Sequence, residues 1–376
     1  MRIGINALYL IPGGVGGTEI YLRHLLESFA EIDGDDEFFV FTNRETGGGV
    51  TPRHPRFATV PQPVRAVHRP ARILWEQTVL PAECMRLRLD ALLNPGFTAP
   101  AAPPCPQITV FHDLQHKRHP ENFRWFELPF WRLLLWVSAR RSQGLLAISE
   151  PTRDDLLRFY RLAPGKVAVA PLGVDPRFFA LPRREADPPY LLAASTLHPH
   201  KNLDRLLRVF APLRAEAPEL RLVVTGVRGF AARQLEQLRA ELGLDRAVEF
   251  TGWLPREELY QRFAGARAFV YPTRFEGFGL PVGEALAAGI PTACSNIEPV
   301  KSIAGDAAWL FPPDDPAAMA EALWRVLWDE AVRARLAAAG PARARQFSWR
   351  RTAEITLAAL HRLQPLHHHL PRLRWE

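Results

Sequence analysis

Cysteine is scarce in this chain of 376 residues: Cys84, Cys105 and Cys294 form no CxxC pair and no even-numbered set. That excludes a disulfide framework and a zinc ribbon, and it favours a reducing compartment. Lysine is nearly absent, with Lys117, Lys166, Lys201 and Lys301 among 47 basic residues, so a lysine inside a motif stands out. The arginine bias fits a GC-rich genome. Long hydrophobic runs are missing too. The most apolar stretch, Leu128–Ala139, is interrupted by Arg132 and too short to span a bilayer. The opening Met1-Arg-Ile-Gly-Ile-Asn6 runs straight into a strand pattern, which leaves no room for a signal peptide. The expected location is therefore cytoplasmic, with peripheral contact at the inner membrane face left open. His367-His-His369 reads as native, because residues follow it.

With 47% hydrophobic and 23% charged residues, the chain is globular and long enough for two domains. Its net charge of +7 suits anionic partners, including nucleotide-sugars, nucleic acids and acidic lipid surfaces. Of these, no nucleic-acid partner is expected.

The chain is organised around Phe275-Glu-Gly-Phe-Gly-Leu-Pro-Val-Gly-Glu284. The apolar run Ala266–Tyr271 predicts a buried parallel strand before it. Pro281 suits the first turn of a helix, and Gly289-Ile-Pro291 stops that helix. A loop from a strand's carboxyl end to a helix's amino end is where open sheets bind ligands and where unpaired N–H groups attract phosphate. Glu276 and Glu284 bracket this anion site, and carboxylates beside phosphate must face other groups, such as sugar hydroxyls. A nucleotide-sugar satisfies both demands.

These residues, with the Ala-Ala-Gly-Ile-Pro exit, resemble the signature of retaining GT-B glycosyltransferases of family 4, the group 1 glycosyl transferases. The resemblance implies an α/β fold of two facing Rossmann-like doubly wound domains with an interdomain cleft. It also implies hexosyl transfer without metal or cofactor. The predicted domains are 1–182, joined by a returning helix within 348–376, and 183–347, with Leu181–Pro189 as the linker.

Along the first half, Arg2–Asn6 predicts a strand. Pro12-Gly-Gly-Val-Gly-Gly-Thr-Glu19 then opens a helix whose apolar face is Ile20, Leu22, Leu25, Leu26 and Phe29. The spacing is not GxGxxG, so a dinucleotide cofactor is not indicated. The family likeness puts Gly16, Gly17 and Thr18 beside donor and acceptor. Asp33-Gly-Asp35 fits a metal-binding Asp-x-Asp but lies in a turn-rich loop, and reads as a solvated turn. Gly47–Pro55 reads as a loose loop. Val64–Leu89 interleaves arginines with Ile73, Leu74, Trp75, Val79 and Leu80, most simply a core helix with a basic solvated face, an amphipathic surface for acidic lipid or an anionic acceptor being the alternative. Gln107–Phe111 predicts a strand that delivers His112 and Asp113 to its carboxyl edge. Phe-His-Asp-Leu resembles the family's segment in which the histidine sits near the donor sugar; Asp113 fits a turn cap. Phe123–Arg141 predicts a helix whose Trp125, Phe130, Trp131 and Trp136 pack against the sheet, an acceptor or membrane patch being the alternative. Val167–Leu172 predicts the next strand.

In the second half, Tyr190–Ser195 predicts a strand, and Ser195-Thr-Leu-His-Pro-His-Lys201-Asn202 leads into a helix. Where the family carries an Arg-Lys pair on the donor diphosphate, Lys201 matches and His200 replaces the arginine. Arg205 or Arg274 are candidates to compensate. Val248–Pro255 resembles the turn framing the nucleotide base, with Trp253 placed to stack. The implied site is His112, Lys201 and Glu276 for catalysis. Gly16, Gly17, Thr18, Ser195, His200, Trp253, Gly277, Phe278, Gly279, Leu280 and Glu284 would bind donor. The Ser-Thr-Leu-His-Pro-His-Lys-Asn run resembles bacterial mannosyltransferases, which implies GDP-mannose as donor. The acceptor would be a saccharide or lipid-linked saccharide of polysaccharide, lipopolysaccharide or glycolipid synthesis. A UDP-sugar glucosyl or galactosyl transferase, a GT-B phosphorylase or epimerase-like enzyme, and a non-catalytic nucleotide-sugar binding protein are the alternatives.

Overall fold

The computed structural model describes residues 1–14 and 16–363. The histidines at 367–369 and the end of the expected 348–376 segment lie outside them. Two compact units divide the chain. One comprises Met1–Ile148, Thr152–Ala170 and the chain from Ala353; the other comprises Ser149–Pro151 and Pro171–Thr352.

The first unit is a seven-stranded sheet of β1 (Arg2–Asn6), β2 (Glu37–Thr42), β3 (Phe57–Pro61), β4 (Ala91–Asn94), β5 (Gln107–Phe111), β6 (Gly144–Ala147) and β7 (Val167–Val169). All neighbours pair in parallel, in the order β3-β2-β1-β4-β5-β6-β7. Parallel pairing requires crossover connections. They include α1 (Gly17–Glu31), α2 (Arg69–Arg86), α3 (Gln115–Arg118), α4 (Leu128–Arg141) and α5 (Glu150–Tyr160). Helix α1 buries Glu19, Tyr21, Leu22, Leu25, Leu26 and Phe29. Ile20, expected on that face, is only half-buried, and Tyr21 takes the inward position.

Three expectations shift here. The Gly47–Pro55 loop is present as expected, but it is followed by a strand that was not expected, β3, an edge strand whose mostly exposed side chains carry no alternating signal. Helix α4 begins at Leu128, not Phe123, because Pro129 fits only a first turn. Strand β7 stops at Val169, two residues before Pro171.

The second unit is a six-stranded parallel sheet of β8 (Tyr190–Ala194), β9 (Arg221–Thr225), β10 (Val248–Gly252), β11 (Ala268–Tyr271), β12 (Thr292–Ser295) and β13 (Trp309–Phe311). Its order is β10-β9-β8-β11-β12-β13. Its helices are α6 (Leu203–Glu216), α7 (Ala232–Glu241), α8 (Arg256–Gly265), α9 (Leu280–Ala287), α10 (Val300–Ala304), α11 (Pro316–Trp328) and α12 (Glu330–Ala344). Then α13 (Trp349–His361) begins in this unit and continues into the part of the chain assigned to the first. Leu203, Leu206, Leu207 and Phe210 recur at helical spacing on α6 and are buried among Leu191, Leu222, Val224 and Val270 of the strands. Each such side chain contributes ~1.5–3 kcal/mol by leaving water. The expected linker is bound along this unit: Arg184 and Ala186 donate backbone N–H groups to Ala264 and Gly265, at 3.1 and 2.9 Å.

Both sheets reverse direction between their first and fourth strands, β1/β4 and β8/β11. In open α/β sheets the ligand crevice lies at the carboxyl ends of the strands flanking that reversal.

Candidate active site

In the second unit, β8 ends at Ala194 and β11 at Tyr271. The chain leaving β8 turns through Pro199–Lys201, and Asn202 adopts a left-handed backbone at φ 58°. Asn202 fixes this turn by donating its side-chain amide to the carbonyls of Pro272 and Pro313, at 3.0 and 2.8 Å. The chain leaving β11 clasps the same turn: Thr273 Oγ1 and the Arg274 N–H donate to the His200 carbonyl, at 3.2 and 2.8 Å. So two loops from neighbouring strands are tied together, and their side chains face a common place.

That place holds an ion pair. Lys201 Nζ donates to Glu276 Oε1 and lies 3.3 Å from the Tyr271 hydroxyl, which itself donates to Glu276. Lys201 and Glu276 side chains are 11% and 13% exposed, enough for a ligand to reach them. Burial, then the Glu276 charge, pushes the Tyr271 phenol far above its ordinary range, so it remains a protonated donor.

After Glu276, Gly277 gives its carbonyl to Ser149 Oγ at 2.6 Å. Gly279 starts α9 at φ 105°, a backbone that glycine adopts readily. Pro281 brings no N–H, so Leu280 and the preceding loop supply the amides at this helix start. The Phe278 ring is buried edge-on against Phe347 with centroids 5.7 Å apart. Glu284 is 4% exposed inside α9. Arg256 Nη1 approaches it to 3.5 Å, and Arg256 Nη2 donates to Asp175, which accepts from the Tyr260 hydroxyl as well. Burial opposes the Arg256 charge, but Glu284 and Asp175 outweigh it and hold the guanidinium above its usual range. Burial and the bond to Asp175 push Tyr260 up to about 12.

The remaining expected residues of this unit follow its strands β8 and β10 or flank Lys201 and Glu276 in sequence. Ser195 follows β8, and its buried hydroxyl has no hydrogen-bond partner among the described residues. The His200 ring stacks on His198 at 5.7 Å. Trp253, after β10, is 43% exposed. Arg205 and Arg274, the candidates to replace a missing arginine, both donate to Asp314 Oδ1, at 2.9 and 3.0 Å.

In the first unit the expected residues also gather at strand ends. Gly16, at φ 58°, caps α1, and a Cβ added at Gly16 or Gly17 would meet nothing within 4 Å. The loop is held from below: the Gly13 N–H donates to Glu19 Oε2 at 2.8 Å, and Arg23 Nε donates to Oε1 at 2.9 Å. The Thr18 carbonyl accepts from the Tyr9 hydroxyl at 3.2 Å. His112 follows β5, buried between Tyr21 and Phe97, with ring centroids at 5.0 and 5.1 Å. Its Nε2 lies 2.8 Å from the Pro95 carbonyl, an acceptor only, which places the proton on Nε2 and leaves Nδ1 as acceptor. Burial lowers its pKa to about 4, against that hydrogen bond, so the ring is neutral near pH 7. Asp113 caps the next turn by accepting from the Gln115 N–H at 2.9 Å. Asp33 and Asp35 are exposed in the turn between α1 and β2. Among the described residues no group of three His, Cys, Asp or Glu could hold a metal ion.

Sequence reasoning missed Tyr271, Arg256, Asp175 and Asp314. Tyr271 had a usable signal, as the last residue of the strand feeding Glu276. The other three act through contacts between distant segments.

Two families match this chain. Residues 176–343 match "Glycosyl transferases group 1", and residues 15–178 match "Glycosyltransferase Family 4". The chain belongs to the family 4 glycosyltransferases. This glycosyltransferase is 28% identical to the MMP alpha-(1->4)-mannosyltransferase of Mycolicibacterium hassiacum over 95% of its own length and 97% of the relative's. It is 29% identical to the O-antigen chain mannosyltransferase B of Escherichia coli over 67% of this chain and 69% of that one. Among solved structures, the sucrose-phosphate synthase of Thermosynechococcus elongatus shares the fold with a TM-score of 0.77, at 19% identity, over 96% of this chain and 98% of that one. The glycosyltransferase therefore has the GT-B fold class, an α/β architecture of two Rossmann-like parallel-sheet units.

Proposed function

We propose that this glycosyltransferase moves mannose from GDP-mannose to an acceptor hydroxyl, with retention at the anomeric carbon and without a metal ion. The observation that carries the reading is the Lys201–Tyr271–Glu276 cluster at the β8/β11 switch point, beside the amide-rich start of α9. Departure of a nucleoside diphosphate builds negative charge, and a fixed ammonium with backbone N–H groups stabilises it where it develops. Lys201 takes the phosphate side of that task, with amides of the loop from Glu276 to Leu280. Glu276, released from Lys201 by the incoming anion, orients the sugar hydroxyls. Glu284, held by Arg256, takes the ribose hydroxyls, and Ser195, His200 and the exposed Trp253 complete the nucleotide site. His112, neutral and fixed through Nε2, offers Nδ1 to the sugar. Gly16, Gly17 and Thr18 offer close backbone approach.

The mannose assignment draws on the two mannosyltransferase relatives, and an O-antigen name supports a saccharide or lipid-linked acceptor of polysaccharide or lipopolysaccharide synthesis. Such acceptors lie at membranes. The net charge of +7 fits contact with an acidic membrane face, although no described helix is long and apolar enough to cross a bilayer.

The deciding experiment incubates the enzyme with GDP- and UDP-hexoses and a panel of lipid-linked and free saccharides. Mass spectrometry and anomeric NMR then identify the product. An α-mannoside formed from GDP-mannose, unaffected by EDTA, is the expected outcome. Turnover with UDP-glucose alone would replace the donor assignment, and nucleotide binding without turnover across the panel would replace catalysis by a binding role.

A further inference from the structure

Helix α4 of the first unit is apolar on two opposite faces. Leu134, Leu135, Ser138 and Ala139 are buried. On the other side Phe130, Leu133 and Trp136 repeat at helical spacing and are 54%, 59% and 43% exposed. Trp125 and Phe126, in the turn before the helix, extend this row and are 84% and 57% exposed. The sequence expectation that Trp125, Phe130 and Trp136 pack against the sheet is thus reversed; Trp131 alone of the four is half-buried. The smaller residues of α4 fill the inward positions, so the large rings turn outward. A helix with apolar residues on two opposite faces has one of them left uncovered by the sheet, and so large an exposed patch marks an interaction surface.

The charges around the patch select its partner. Arg124, Arg140 and Arg141 are exposed at its two ends, and Arg69 lies beside it over the Trp131 ring, 5.6 Å from the centroid. Arg140 lies 5.8 Å from the Trp136 ring centroid. Two acids stand nearby and both have partners. Glu127 is within 4.0 Å of Arg69 and 3.5 Å of Arg124, and Glu121 accepts from His119 at 2.9 Å. The surface thus combines outward aromatic and aliphatic side chains with a basic rim.

We propose that this face of α4, with the turn carrying Trp125 and Phe126, docks the enzyme on an anionic lipid bilayer. The rings enter the boundary between headgroups and acyl chains, and Arg124, Arg140 and Arg141 meet the acidic headgroups. A second copy of the chain is a poorer occupant, because a two-fold contact would set each arginine cluster against its own copy. The inference gives the acidic-membrane contact proposed above a location, and it stands on this surface alone, independent of the donor.

The test is sedimentation of the full chain with vesicles of phosphatidylcholine, with and without phosphatidylglycerol. Wild type is expected to sediment with the anionic vesicles about tenfold more strongly than with neutral ones, and less so as salt is raised. Trp125→Ser/Phe130→Ser/Trp136→Ser and, separately, Arg140→Glu/Arg141→Glu are each expected to lower that binding about tenfold. Their circular dichroism and donor hydrolysis should stay at wild-type levels. Equal binding to neutral vesicles, no binding to anionic ones, or unchanged binding by both variants would overturn the proposal. So would a dimer, seen by light scattering, that the aromatic variant dissolves. Failure of GDP-mannose turnover with vesicle binding intact would sink the donor assignment and leave this surface standing.

Discussion

The two units share one strand order and differ in what they set at the reversal point. The second presents ions held in pairs: Lys201 with Glu276, Arg256 with Glu284 and Asp175, Arg205 and Arg274 with Asp314. The first presents a neutral imidazole and bare glycine backbone, with Glu19 committed to the loop beneath and Asp113 to the turn after β5. In the proposed function the same topology serves two kinds of recognition. The second unit would exchange charge with a ligand; the first would offer shape and uncharged hydrogen bonds.

The sharpest way to break this contrast is to remove charge from the second unit. Glu276→Ala and Lys201→Ala should each lower kcat by ~10³ while circular dichroism stays native. Because the two residues act as one unit, the double variant should lose little more than either alone. Near-normal rates in either single variant would move the site elsewhere.

His112→Ala tests the first unit and should cost ~10²-fold in kcat. A loss in KM alone would mean that the ring only binds. Arg256→Ala leaves Glu284 without its cation and should raise donor KM about tenfold, with a smaller change in kcat; an equal fall in kcat would place Arg256 at the chemistry instead.

The neutral ring also has a pH signature. His112 and His116 are both lowered by burial to about 4, whereas an unfolded histidine titrates near ~6.5. Between these values the unfolded chain binds more protons, so stability is complete above ~6.5 and falls as pH drops toward 4. Each imidazole accounts for up to ~3 kcal/mol of that fall. Thermal unfolding between these limits should show a shallower slope in His112→Phe than in wild type. The smallest effect is expected of Asp314→Asn, which loosens the hold on Arg205 and Arg274 and should lower donor KM about two- to threefold. An unchanged KM would show that neither arginine replaces the one expected at His200.

Much of the fold was legible because parallel strands buried on both faces read as apolar runs and because glycines and prolines mark their ends. Arg2–Asn6 and Gln107–Phe111 fall where the pattern placed them. Strand β3 was not legible, since its burial is partial and its sequence carries no period. The outward rings of α4 were misread for a related reason: composition says that aromatics prefer burial, but only the backbone says which side of a helix faces the sheet. Within the candidate site, the motif residues could be named from local spacing. Their partners could not. Asp175 reaches Arg256 and Asp314 reaches Arg274 across dozens of residues, and no local rule pairs them.

The pairing of Lys201 with Glu276 has a consequence for how a donor enters. An open patch of cations gathers mobile salt ions and expels them when a ligand arrives, so its affinity collapses as salt is added. Here the ammonium carries a built-in counter-ion on the same scaffold. In the function proposed above, a diphosphate arriving at Lys201 would trade places with the Glu276 carboxylate rather than with ions from solution. Donor capture would then be an exchange of partners inside the protein, less sensitive to ionic strength than capture by an open cation patch.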